Sequence, residues 1–266
     1  MEMNRCPIGV IDSGVGGLTV VNRIRRTTPN EDIIYIGDIK HSPYNDRTEK
    51  EIMQYTRQMI HFLAKKSVKA IVLASHIISN LALDELRKEI SIPVIGMASG
   101  LKTGAEISPR RKIGVLTSAR VILHGSYQEE ASRLYPGLTV VEQACPLLAK
   151  TIEAGNLNGE YIKDLVEEYT MPLIEAGVDT VVYGSTHFPF LKRAFEAVAG
   201  ERIIFVDPGH ETAWEVKTVL EKYALENEHR HQGRIALCFT KDSRRGSQFA
   251  SMVMNPEAYQ AAEISL

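Results

Sequence analysis

Residues 69–90, KAIVLASHIISNLALDELRKEI, pass from a short apolar run through a small residue and a serine into a segment with apolar residues at helical spacing. β-Branched runs of this kind read as strands buried on both faces, the mark of a parallel sheet. Residues 179–199, DTVVYGSTHFPFLKRAFEAVA, repeat the same order of strand, small residue, serine, turn and helix. The echo predicts two similar halves related by duplication.

Outward from this pair lie further apolar runs: PIGVID (7–12), DIIYIGD (32–38), IPVIGMA (92–98), RKIGVLT (111–117), LTVVEQA (138–144) and RIIFVDP (202–208). Segments with helical periodicity separate them, such as TEKEIMQYTRQMIHFLAKK (48–66). Alternating strand and helix gives an α/β protein with parallel sheets. The uneven spacing and the internal echo favour two doubly wound domains facing each other over one closed barrel. The first is expected from residues 1–97 with 208–266, the second from residues 98–207. From about Glu226 onward the chain reads as polar and irregular, with NEHRHQGR (227–234) as a loop.

Composition narrows the function. The 266 residues are 44% hydrophobic and 24% charged, with 31 basic residues against 33 acidic ones. No broad basic surface follows, so nucleic acid is not an expected partner and a small ligand is. No apolar run approaches the ~20 residues of a membrane span and no signal peptide opens the chain, so the protein reads as cytoplasmic and without a membrane partner. Cys6, Cys145 and Cys238 are too scattered for a disulfide framework, and neither they nor the eight histidines show metal-ligand spacing. No metal is expected.

In open α/β sheets ligands bind beyond the carboxyl ends of the strands, so the residues just after each run are the candidates. Asp12 and Ser13, in DSGVGG, either meet an anion at a helix start or cap that helix. Pro43, Tyr44 and Asn45 follow the second run; Pro43 stiffens the turn and the other two offer hydrogen bonds. Ser75 and His76 follow the third. Adjacent on a turn, they do not form a dyad, and Ser75 reads as a cap or a donor to a carboxylate. Thr117 follows the fifth run. Ser185, Thr186 and His187 follow the seventh and suit a carboxylate or an amine. Glu153, in KTIEAG, is either a buried acid or an exposed helix charge, with exposure the preferred reading.

These pieces, in order, carry a resemblance: IGVIDSGVGGLTV, NEDIIYIGD, PYNDRT, ALDELRKEI, IPVIG, IGVLTS, ACPLL and THFPFL. The chain resembles the glutamate racemase family, within the aspartate/glutamate racemase group, from about Pro7 to Gly209. The resemblance implies two pseudosymmetric α/β domains with the site in the cleft between them, no cofactor, a small amino-acid or dicarboxylate ligand, and a possible homodimer. It also implies a cysteine base in each domain, in Cys-Asn-Thr and Cys-Thr-His motifs. Here those motifs read Ser75-His76-Ile77 and Ser185-Thr186-His187. Further departures are Asn45 for the usual glycine, Val121 where threonine is common, and Ala98-Ser99-Gly100 for Glu-Pro-Gly.

By the same resemblance, Asp12 and His187 assist proton transfer, while Ser13, Tyr44 and Thr186 help to hold substrate. Serine is a far poorer proton acceptor than a thiol at neutral pH unless another group activates it. One reading is therefore altered isomerase-type or elimination chemistry in which His76 replaces a base. Another is a catalytically silent binding or regulatory protein, and a third is a glutamate racemase with weak residual activity.

Overall fold

The computed structural model describes residues 3–228 and 232–266. Two compact units divide it, residues 1–97 with 209–266 and residues 98–208. All ten strands among the described residues pair in parallel.

The first unit holds β1 (Ile8–Asp12), β2 (Ile33–Gly37), β3 (Ala70–Leu73) and β4 (Val94–Ile95). The second holds β5 (Lys112–Thr117), β6 (Thr139–Ala144), β7 (Thr180–Tyr183) and β8 (Ile204–Val206). The chain then returns to the first unit for β9 (Ile235–Phe239) and β10 (Tyr259–Glu263). The sheet orders are β10-β9-β2-β1-β3-β4 and β6-β5-β7-β8. The second sheet thus repeats the order of β2-β1-β3-β4, as the echo between residues 69–90 and 179–199 implies. Each order reverses about its central pair, β1 and β3 in one sheet, β5 and β7 in the other. At such a reversal the flanking connections leave on opposite faces and open a crevice at the carboxyl ends.

β9 and β10 correct the reading of residues beyond Glu226 as irregular. Ile235 pairs with Ile33 and Phe239 with Gly37, so β9 continues the sheet beside β2. Its five residues, IALCF, are all apolar, but the run is short, alternately buried and set among polar residues, so periodicity alone does not mark it as a strand. β10, YQAAE, is largely exposed and offers only Tyr259 and two alanines as apolar residues. Of the expected loop at 227–234, residues 229–231 lie outside the described residues.

Helices cover the sheet as their periodicity requires. Ile52, Met59 and Leu63, from helix Glu49–Ala64, pack with Ile11, Ile36, Leu73 and Ile78 into a continuous apolar core. Thr48 starts that helix with a reciprocal cap. Its Oγ1 accepts from the Glu51 N–H at 3.3 Å, and its own N–H donates to Glu51 Oε2 at 2.8 Å. The bonds satisfy two of the donors that a helix start leaves unpaired. Thr48→Ala is expected to cost about 1 kcal/mol in urea unfolding; an unchanged midpoint would show that water replaces the cap without loss.

Candidate functional site

In the first sheet the predicted residues gather at one edge because β1 lies between β2 and β3. Asp12 ends β1 and is fully buried, its Oδ2 accepting from the N–H groups of Gly14 at 3.2 Å and Gly17 at 2.9 Å. This closes the turn that carries buried Ser13. The turn is tight: a Cβ at Gly17 would stand 2.7 Å from the Asp12 Cβ and 2.9 Å from the Tyr35 ring. Glycine is required there for the close approach.

Ser75, at the end of β3, is the N-cap of helix His76–Glu89, its Oγ accepting from the Ile78 N–H at 3.5 Å. His76 is the first helical residue and is buried. One turn on, Ser79 donates to the Leu73 carbonyl at 3.0 Å and accepts from the Met97 N–H at 2.9 Å, tying the helix to two strand ends.

The loop after β2 contains a residue that the sequence did not single out. Asp38 is fully buried and accepts from Thr240 Oγ1 at 2.7 Å and from the Tyr44 hydroxyl at 2.7 Å. His41 Nδ1 lies 3.0 and 2.9 Å from its two oxygens, with the ring stacked 3.9 Å from that of Tyr55. Tyr44 is therefore buried with its proton already given to Asp38, while Pro43 and Asn45 on either side are half-buried. Burial first, and then the Asp38 charge and hydrogen bond, push the Tyr44 phenol well above its ordinary range.

In the second sheet Thr117 ends β5 and donates from Oγ1 to the Gly184 carbonyl at 2.9 Å. Gly184 N–H donates to the Leu116 carbonyl at 2.7 Å, so the exit of β7 is held from both sides. Beyond it come half-buried Ser185 and buried Thr186 and His187. Ser185 Oγ lies 3.5 Å from His187 Nδ1 and accepts from the His187 N–H at 3.4 Å. His187 Nε2 lies 2.8 Å from Glu153 Oε1, with both side chains about 7% exposed.

Glu153 is thus not the exposed helix charge preferred from sequence. Helix Leu148–Glu153 buries every residue but Lys150, so periodicity gives no solvent face on which to place an acid. The partner that holds it is 34 residues away.

None of these groups is a thiol. Cys145 follows β6 and is buried, and that burial pushes its thiol above the ordinary range; burial does the same, less strongly, to Cys238. Both are protonated at neutral pH. Among the described residues no group of three or more His, Cys, Asp or Glu side chains is placed to hold a metal ion, and no helix is long and apolar enough to cross a membrane.

Known proteins share this fold. The profile of the Asp/Glu/hydantoin racemase family matches residues 8–216. A glutamate racemase from Herpetosiphon aurantiacus is 37% identical over 229 residues, covering 86% of this chain and 90% of the relative. The crystal structure of a glutamate racemase isoform from Bacillus anthracis superposes with a TM-score of 0.90 at 30% identity, covering 99% of this chain and 98% of the other. A glutamate racemase from Francisella tularensis, solved in complex with D-glutamate, gives a TM-score of 0.86 at 26% identity, with 99% and 98% covered. With its two parallel-sheet α/β domains and polar groups at the matching strand ends, the chain belongs to the Asp/Glu/hydantoin racemase family.

Proposed function

We propose that this protein moves a proton at the carbon beside a carboxylate of a small amino or dicarboxylic acid, without a cofactor, in a racemase-, isomerase- or elimination-type reaction. The observation that carries the reading is the buried His187–Glu153 pair at the reversal of the second sheet. A carboxylate on Nε2 fixes the proton there, leaves Nδ1 as the acceptor towards Ser185, and stabilises the imidazolium once formed.

By the resemblance, thiol bases are expected at positions 75 and 185, where this chain has serine. An imidazole titrates near neutral pH and a hydroxyl does not, so the proton-moving role passes to the histidine beside each serine. His187 takes it in the second unit, with Ser185 relaying. His76, just beyond the end of β3, the sheet neighbour of the strand that Asp12 ends, takes it in the first. Ser13, Asn45 and Thr186 hold the ligand. Tyr44 and Thr117, whose hydroxyl protons are already donated to Asp38 and Gly184, keep the surrounding loops in place and offer at most acceptor oxygens. Membership of the family and the D-glutamate complex of the Francisella relative make glutamate the first compound to test. The same resemblance supports a cytoplasmic homodimer.

The test is hydrogen exchange. Purified protein in deuterated water is expected to incorporate deuterium at the α-carbon of at least one of D- or L-glutamate, aspartate and related acids, followed by NMR. His187→Asn should slow that exchange by about 10²-fold or more. If no compound exchanges while one of them raises the melting temperature, the protein is a binding protein and the catalytic reading is lost.

A further inference from the structure

Ser185 has what a nucleophilic serine needs, which Ser75 does not show. We infer that Ser185, His187 and Glu153 form a nucleophile, base and acid able to accept the acyl group of a small activated ester. This acyl-transfer capacity does not rest on the proton-transfer reading, although the two use the same side chains.

The geometry is laid out in that order. Ser185 Oγ faces His187 Nδ1 at 3.5 Å, and His187 Nε2 faces Glu153 Oε1 at 2.8 Å. With the proton fixed on Nε2 by Glu153, the lone pair of Nδ1 is directed to the serine hydroxyl. Serine–histidine–carboxylate chains are recognised by these roles and distances rather than by sequence position; here the two imidazole nitrogens exchange their usual partners, Nδ1 facing the serine and Nε2 the acid. In unliganded enzymes the nucleophile–base contact is commonly looser than in the reacting complex.

The surroundings support the nucleophile. The His187 N–H reaches Ser185 Oγ at 3.4 Å and stabilises charge there as the hydroxyl proton leaves. The exit of β7 is rigid, pinned by the Thr117 hydroxyl on Gly184 O and by Gly184 N–H on Leu116 O, so the oxygen is carried on a fixed strand end. Ser185 is only partly buried while its base and acid are buried, so of the three it is the residue that keeps contact with solvent. Ser75, its counterpart in the first sheet, spends its oxygen as the N-cap of a 14-residue helix.

The step balances. Ser185 Oγ attacks the carbonyl carbon and its proton passes to His187 Nδ1. The ester C–O bond breaks, and the departing alcohol takes that proton. Water then enters, gives a proton to Nδ1, and attacks the acyl carbon; the acid leaves and Ser185 recovers its proton. The Nε2 proton remains between His187 and Glu153 throughout.

Two probes test this on the whole protein. A fluorophosphonate should leave one adduct per chain, mapped to Ser185 by peptide mass, with loss of fluoride. p-Nitrophenyl acetate should release p-nitrophenolate and acetylate the same residue. Labelling is expected to vanish in Ser185→Ala and to slow at least tenfold in Glu153→Gln, which retains the shape of the acid, and in His187→Asn. The inference is overturned if folded wild-type protein gains no adduct, if Ser185→Ala still gains it, or if Glu153→Gln labels at the wild-type rate. Loss of labelling leaves the deuterium-exchange result standing, so the two readings fail separately.

Discussion

Asp38→Ala is expected to destabilise the protein by about 3–5 kcal/mol, read as a fall in the urea midpoint at constant m-value. The carboxylate is fully buried and is the shared acceptor for Tyr44 and Thr240 at 2.7 Å and for His41 at 2.9 Å. Deleting an acceptor of this kind costs more than the bonds themselves, because each buried donor left behind loses its partner without regaining water. Tyr44 suffers most, since its ring is about 1% exposed and its hydroxyl cannot turn to solvent. Thr240 comes next and carries a topological consequence. It lies 202 residues from Asp38 and directly follows β9, so the carboxylate ties the returning C-terminal segment to the loop that holds Pro43, Tyr44 and Asn45.

A double-mutant cycle isolates this effect from simple loss of volume. In the Asp38→Ala background, Tyr44→Phe removes the stranded hydroxyl and should recover part of the loss, whereas in the wild-type background it should cost stability. Additive effects, or a loss below about 1 kcal/mol for Asp38→Ala, would show that water enters and replaces the carboxylate.

Asp38 also marks where the sequence stops being informative. The central strands of the two echoing halves, β1, β3, β5 and β7, were legible because parallel strands buried on both faces leave apolar runs, and these runs end in aspartate, serine or threonine close to where the strands do. That is why Asp12, Ser75, Thr117 and Ser185 could be placed at strand ends without any structure. What local pattern cannot carry is pairing across the chain. Asp38 with Thr240, and Glu153 with His187, are non-local contacts whose members look like an ordinary loop acid and an ordinary helix acid. β9 was hidden for a related reason: its five apolar residues, two of them only partly buried, do not by themselves distinguish strand from helix, and the pairing with β2 that decides it is non-local.

A second large effect is expected in alkali. Stability should fall steeply above about pH 10, with a slope approaching ~4 kcal/mol per pH unit. The three most strongly shifted groups supply most of it. Burial, then the Asp38 charge and bond, raise the Tyr44 phenol from its ordinary 10.0. Burial, then the charges of Glu196 and Asp207, raise Tyr183 from the same value. Burial raises the Cys145 thiol from 9.0, against the opposing Thr117 hydrogen bond. The shifts are upward, so the folded protein keeps protons that the unfolded chain releases, Cys145 near pH 9 and the tyrosines near pH 10. Stability is then fully present below those values and declines as pH rises through them, by ~1.4 kcal/mol per unit for each group. Against a typical total of about 5–15 kcal/mol, unfolding should be complete within a few units of onset.

The origin of the slope can be assigned residue by residue. Tyr183 stacks on Phe205 and packs against Phe195, both with ring centroids at 5.3 Å, so Tyr183→Phe keeps the packing and removes only the titrating proton. It should lower the alkaline slope by about a third, and Tyr44→Phe should do the same. Tyrosinate absorbance should rise together with the loss of structure for these residues and not before it. If either phenylalanine variant keeps the wild-type slope, that tyrosine ionises in the folded state, and its hydroxyl is open to water in solution.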